Sequence, residues 1–185
     1  MEYLDIVDEK GNPTGQIVTR ETAHSEGILH RTAHLWLLRK KDDVTQILVQ
    51  KRSADKAEFP GCFDISSAGH IPAGMDYEES ALRELQEELG ITAEKGELIW
   101  CGDRDLKCDT EFRGVPFHDR QHTRVYLMWC SLDADKFTLQ KEEVELVRWL
   151  SFGELMEAVR ENLIKHCIAM EELEMICRFL MRHAE

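Results

Sequence analysis

Three glutamates, Glu84, Glu87 and Glu88, stand at spacing i, i+3 and i+4 in the run Arg83-Glu84-Leu85-Gln86-Glu87-Glu88-Leu89-Gly90. On an α-helix this spacing puts three carboxylates on one side within about one turn. Like charges so close disfavour an isolated helix, so the arrangement calls for a compensating positive group. A hard divalent cation with oxygen ligands suits it, and Mg²⁺ commonly joins carboxylates to substrate phosphates. A glutamate-rich face alone is also what an ordinary solvated helix carries. The segment before it adds weight to the chemical reading. Gly69-His70-Ile71-Pro72-Ala73-Gly74 is a glycine-bounded loop able to bring backbone groups against a metal or a phosphate.

The elements that must position these groups can be read from pattern. Asp76 to Leu89 predicts a helix: Asp76 caps it, Glu79 completes a capping box, Gly90 ends it, and Ala81, Leu82, Leu85 and Leu89 form its apolar stripe. Strands are expected at Tyr3–Val7 and Gln16–Thr19, with one helical turn at Glu21–His24. His30–Leu38 and Gln46–Lys51 alternate as paired strands joined through Lys40–Asp43, and Lys51–Phe59 reads as irregular. Glu97–Cys101 and Thr123–Cys130 read as strands separated by a long polar segment. Val144–Leu150 is a further strand. Ser151 then caps a helix to about Asn162, and a last amphipathic helix runs from about Lys165 to His183. Irregular alternation of strands and helices predicts the α+β class. The four tryptophans, Trp36, Trp100, Trp129 and Trp149, fall in strands and are expected in the core.

Composition bounds the function. At 185 residues the prior is one domain, residues 1–185. Thirty-six acidic against 23 basic residues give a net charge of −13, which disfavours a nucleic-acid polymer as partner. A small phosphorylated substrate stays compatible, because a metal and a few local cations override the global field. No apolar run is long enough to span a membrane, and the acidic start is unlike a signal peptide. Six scattered cysteines without a C-x-x-C pair suggest reduced, mostly buried thiols and a cytoplasmic protein.

The run from Gly69 to Ile91 resembles the Nudix box, G-x5-E-x7-R-E-U-x-E-E-x-G-U, with U a bulky aliphatic. Gly69, Arg83, Glu84, Leu85, Glu87, Glu88, Gly90 and Ile91 fall in place. The exception is Met75, where the family carries a glutamate that supports the box arginine; Asp76 or Glu79 would have to substitute. The resemblance implies a Nudix-type α/β/α sandwich with a mixed central sheet. It implies Mg²⁺, with Mn²⁺ as the alternative, held by Glu84, Glu87, Glu88 and the carbonyl of Ala68. Glu84 or Glu87 would be the base that activates water against a diphosphate.

More of the chain is similar to type I isopentenyl-diphosphate isomerase and to the plant Nudix domain fused to a dipeptidyl-peptidase. The matching pieces include Ile6–Gly15, Leu29-His30-Arg31, Lys51-Arg52-Ser53, Phe59-Pro60-Gly61 and Phe137–Val144. Arg52 and Lys56 match positions that contact diphosphate in those relatives, and Glu142 or Glu143 would be a further metal ligand or base from a loop. His24, His30 and His70 match the isomerase's metal-binding histidines, a set that would suit a transition metal. Its partner carboxylates look missing here, with His122 as a partial stand-in. The isomerase's cysteine is replaced by Ala68, and its later-strand glutamate falls near Gln121–Arg124, where no glutamate stands. Both differences, with the complete glutamate set, favour hydrolysis of a nucleoside or prenyl diphosphate. The alternatives are an isomerase-like enzyme and a non-catalytic diphosphate-binding module. The substrate walls are expected in Asp103–Asp119 and the final helix, and a homodimer is compatible with the sequence.

Overall fold

The computed structural model describes residues 1–183. In chain order it contains β1 (Tyr3–Val7), β2 (Pro13–Thr19), α1 (Arg20–Glu26), β3 (His30–Lys41), β4 (Val44–Arg52), β5 (Phe63–Asp64), β6 (Ser67–His70), α2 (Tyr77–Leu89), β7 (Ile99–Phe112), β8 (Val115–Trp129), β9 (Val144–Ser151), α3 (Phe152–Arg160) and α4 (Met170–Arg182). The main sheet runs β5-β4-β3-β8-β7, with β6 added to β3 and β9 to β4. It is mixed, because β3 and β8 are parallel while the other pairs are antiparallel.

The period of two along β3 builds both faces. Ala33, Leu35 and Leu37 pack with Tyr77, Ala81, Leu85 and Leu89 of α2. Trp36 and Leu38 point the other way and pack with Leu155 and Val159 of α3 and Leu173 and Ile176 of α4. The fold is therefore the expected α+β sandwich, helix–sheet–helix.

Two features shape the site, one in the main sheet and one in the separate β1–β2 hairpin. First, β3 and β4 part beyond Leu38, and Ser66 wedges between them: Leu37 N–H donates to its Oγ at 2.9 Å, and that hydroxyl donates to the Leu48 carbonyl at 2.6 Å. The split admits β6, which brings Ala68 and Gly69 beside His34 and Ala33. Second, the β1–β2 hairpin braces the glycine loop. Asp5 accepts from Arg31 at 2.7 Å and from the Gly74 N–H at 2.9 Å, and the Ala73 N–H donates to Tyr3 O at 2.8 Å.

Several boundaries differ from expectation. The segment between Cys101 and Thr123 is no loop: it is a two-stranded ribbon, paired from Asp103↔Arg124 to Phe112↔Val115, whose polar side chains hid its alternation. The β3–β4 turn is only Asp42-Asp43, both left-handed, as a tight two-residue hairpin demands. β2 starts earlier, at Pro13. α4 starts later, at Met170, because Lys165 and Cys167 are tied to Phe63 by backbone bonds of 2.8 and 3.0 Å. Trp36 is fully buried, but Trp100 on the edge strand β7 and Trp129 at the end of β8 are exposed, against the core expectation. All six cysteines are free, yet only Cys62 is buried, so the thiols are mostly half-exposed.

Candidate active site

A cleft of about 350 Å³ opens beside α2, on the sheet face that α3 and α4 cover further along. Its lining includes Glu84, Glu87, Glu88, Ala68, Arg52, Lys56, Glu143, His24 and His70, but not Glu142, His122 or His30. His30 lies directly behind, fully buried.

The α2 end carries the carboxylates. Asp76 caps the helix by accepting from the Glu79 N–H at 2.7 Å, and Gly90 ends it in a left-handed conformation. The reciprocal half of a capping box is not formed; Asp76 instead pairs with Lys95 at 2.9 Å. Glu88 is buried, with a weak 3.4 Å contact from Gln50 Nε2. Burial pushes its carboxyl up to about 8. Burial likewise raises Glu84 to about 7, against the pull of Arg83 and helped by Glu87. Glu87 sits at the rim with half its side chain exposed. Arg83 Nη2 bonds Glu84 at 2.6 Å and Nη1 lies 3.9 Å from Glu87. So the box arginine is held by the box glutamates themselves. Neither Asp76 nor Glu79 replaces the absent glutamate at Met75, which packs into the core instead.

Gly69 has a stated reason to be glycine. A Cβ there would lie 2.4 Å from the Glu84 side chain. Gly69→Ala is expected to displace Glu84 and lower kcat/KM on the order of 10²-fold, with the circular-dichroism spectrum unchanged. Wild-type turnover in that variant would contradict this role for the close approach.

The other end gathers imidazoles. The ring nitrogens of His24, His30 and His70 offer ligand atoms within 4.8 Å of one another. Burial lowers all three, His24 to about 3, so they are neutral and carry lone pairs. His30 Nδ1 donates to the Ile28 carbonyl at 2.8 Å, which turns Nε2 inward, where it is buried with no hydrogen-bond partner among the described residues. Sequence reasoning found no carboxylate here, but the structure supplies Asp119. Its Oδ1 lies 3.6 Å from His30 Nε2 and 3.8 Å from His24 Nε2, and among the described residues it too is buried without a hydrogen-bond partner. Burial raises Asp119 to about 7. Its signal was the alternation Phe117, Asp119, Gln121, Thr123 on one face of β8. His122, the suggested stand-in, faces away toward Asp105 at 2.9 Å.

The expected phosphate cations are present but engaged. Arg52 Nη1 bonds Asp64 at 3.0 Å, and Lys56 pairs with Glu143. Glu143 is carried over the cleft by a loop whose Thr138 and Gln140 N–H groups bond the carbonyls of Leu89 and Glu88 at 3.1 and 3.0 Å. Arg20 and Arg104, which the sequence did not single out, add two more guanidiniums. Positive and negative groups thus alternate along the cleft, a lining that suits a metal-bound polyanion better than an apolar ligand.

A mixed sheet between helices, with a glutamate-bearing helix over its cleft, defines the Nudix class. The NUDIX domain family model matches residues 28–168, and the chain belongs to that family. It is 38% identical over 158 residues to Nudix hydrolase 3 of Arabidopsis thaliana, covering 83% of this chain but 20% of that protein. It is 37% identical over 143 residues to an uncharacterized Nudix hydrolase of Clostridium acetobutylicum, covering 77% of this chain and 66% of the other. The chain thus spans a fifth to about two thirds of the length of these relatives. Among solved structures, a Deinococcus radiodurans protein superposes with a TM-score of 0.68 at 21% identity, over 94% of this chain and 98% of that one. The NUDIX domain of Shewanella oneidensis NrtR, crystallised with ADP ribose, gives 0.55 at 16% identity, over 85% and 88%. Likenesses at this identity establish the fold.

Proposed function

We propose that residues 1–185 act as one Nudix domain that hydrolyses a diphosphate linkage with the help of Mg²⁺ or Mn²⁺. The observation that carries this reading is the pair of carboxylates, half-buried Glu84 and buried Glu88, facing the cleft with their charged forms disfavoured in the absence of a cation. Such a donor set fits a hard divalent ion, which Glu84, Glu87, Glu88 and the Ala68 backbone would hold. When bound, the ion would neutralise phosphate charge and acidify a coordinated water. The protein's own groups do the rest. Lys56 and Arg52 hold phosphate oxygens. Glu84 or Glu87 takes the proton as water attacks phosphorus and the bridging P–O bond breaks, leaving two phosphate-bearing products. The names of similar proteins, an Ap4A hydrolase and a domain crystallised with ADP ribose, are compatible with small diphosphate substrates.

The test is release of phosphate or monophosphates from a panel of nucleoside and prenyl diphosphates in Mg²⁺ or Mn²⁺. Turnover lost in Glu87→Gln and Glu88→Gln is the expected result. No turnover with any divalent ion, alongside tight ligand binding in calorimetry, would favour a binding module.

His24, His30, His70 and Asp119 support a second, transition-metal site, since neutral imidazoles and a carboxylate with its Oδ1 unpaired among the described residues are what Mn²⁺ or Zn²⁺ takes. Asp119→Asn is expected to reduce bound Zn²⁺ by one equivalent in metal analysis; unchanged stoichiometry would remove that site. The same cluster is what favours the isomerase-like alternative. Deuterium entering a prenyl diphosphate from solvent would support it. With Ala68 at one proton-transfer position and no glutamate in Gln121–Arg124 for the other, none is expected.

A further inference from the structure

Beyond both metal-type clusters the cleft has a third wall, and none of the motifs described above includes it. Glu172 of α4 is 1% exposed there, and three donors converge on its carboxylate. His34 Nδ1 reaches it at 2.9 and 3.1 Å, Trp36 Nε1 at 2.7 Å and Arg104 Nη1 at 2.8 Å. Burial alone would push the Glu172 carboxyl up, but His34 and Arg104 hold it down at about 2. A carboxylate accepts only, so His34 Nδ1 must carry a proton, and ring orientation and tautomer are both fixed. That leaves His34 Nε2 and the remaining N–H groups of Arg104. Among the described residues they have no protein hydrogen-bond partner, and both side chains line the cleft, 11% and 15% exposed.

From this geometry we infer that His34 and Arg104, locked by Glu172, form a recognition subsite for the group on the far side of the scissile diphosphate, and that this group carries a hydrogen-bond acceptor for Arg104 beside a donor for His34 Nε2. The inference rests on the diphosphate reading above and sharpens its substrate class. Diphosphate at the α2 glutamates leaves the distal group facing β3, β7 and α4. There it meets a guanidinium, an imidazole and the amide of Gln121. A sugar hydroxyl, or a base edge with a carbonyl beside an N–H, would satisfy the set: it accepts from Arg104 and Gln121 and donates to His34 Nε2, which carries a lone pair when Nδ1 bears the proton. A hydrocarbon tail would strip their water and return nothing. The subsite also has a buried anchor: three side chains from two strands are held by one carboxylate from α4, which lies beyond the residues that the family model matches.

The experiment compares His34→Ala, Arg104→Ala and wild-type protein on nucleoside diphosphate sugars and on dimethylallyl diphosphate. Both kinetics in Mg²⁺ and binding by calorimetry in Ca²⁺ are measured, so affinity is read whether or not a substrate turns over. Expected is a roughly 10- to 100-fold rise in KM or Kd for the acceptor-bearing compounds in either variant, with kcat nearly kept. Dimethylallyl diphosphate should bind more weakly to wild type and respond less than about twofold. His34→Gln, which keeps a polar tip, should recover part of the loss. Equal damage on both substrate types, or a wild-type preference for the prenyl compound, would overturn the inference. Absent hydrolysis with the binding pattern intact would instead count against the hydrolase reading and leave the subsite standing.

Discussion

Glu88→Gln is expected to remove activity and, in the metal-free protein, to raise stability. The two effects have one cause. Glu88 is buried on the cleft side of α2, and burial raises its carboxyl from an ordinary 4.5 to about 8. A folded-state value above the unfolded one means a cost that is absent below pH 4.5, grows as pH rises and is complete above pH 8. At pH 7 that cost is about 3 kcal/mol by linkage. Glutamine has nearly the same shape without the charge, so urea melts of the metal-free variant at pH 7 to 8 should show a gain of that order. Saturating Mg²⁺ should narrow the gap, because it stabilises the wild type through a ligand the variant lacks; 100-fold excess over Kd would contribute about 2.7 kcal/mol. Turnover should fall on the order of 10²- to 10³-fold. A variant that is no more stable than wild type without metal would show that Glu88 carries no uncompensated charge. Retained turnover would remove it from the chemistry.

What the sequence disclosed was local. The spacing of Glu84, Glu87 and Glu88, the capping aspartate and the flanking glycines all lie within one strand–loop–helix unit, where short-range geometry fixes the outcome. The two-sided core was legible for the same reason, from alternation along β3. Recognition failed where contacts join distant segments. Asp119 was passed over because the ribbon holding it is polar on both faces, so its period of two carried no hydrophobic signal. Its place on the cleft face follows only from the parallel pairing of β8 with β3, which sets His30 opposite Gln121. His34 and Glu172 are 138 residues apart and belong to a strand and a helix that each look like ordinary core elements. Nothing in either segment announces the other. The engaged state of Lys56 and Arg52 was equally invisible, since their partners Glu143 and Asp64 come from other loops and strands.

The Glu172 anchor gives the largest stability effect expected outside α2, with the opposite sign. Removing it as Glu172→Ala would leave the Arg104 guanidinium, the His34 ring and the Trp36 indole N–H without their shared acceptor. Breaking a buried ion pair from one side typically costs about 3–5 kcal/mol. Glu172→Gln isolates the charge. The folded carboxyl lies at about 2 against an ordinary 4.5. Its contribution is therefore full above pH 4.5 and is lost as pH falls toward 2. At pH 7 the linkage is worth about 3 kcal/mol, and at pH 3 roughly half of that. Subtracting variant from wild type at each pH cancels the titration of Glu84, Glu88 and Asp119, which both proteins share. Urea melts of the pair should thus converge as the solution is acidified. A gap of the same size at pH 3 and pH 7 would mean that Glu172 acts by shape and neutral hydrogen bonding alone, and that the charge holding His34 and Arg104 in place is not what fixes the far wall of the cleft.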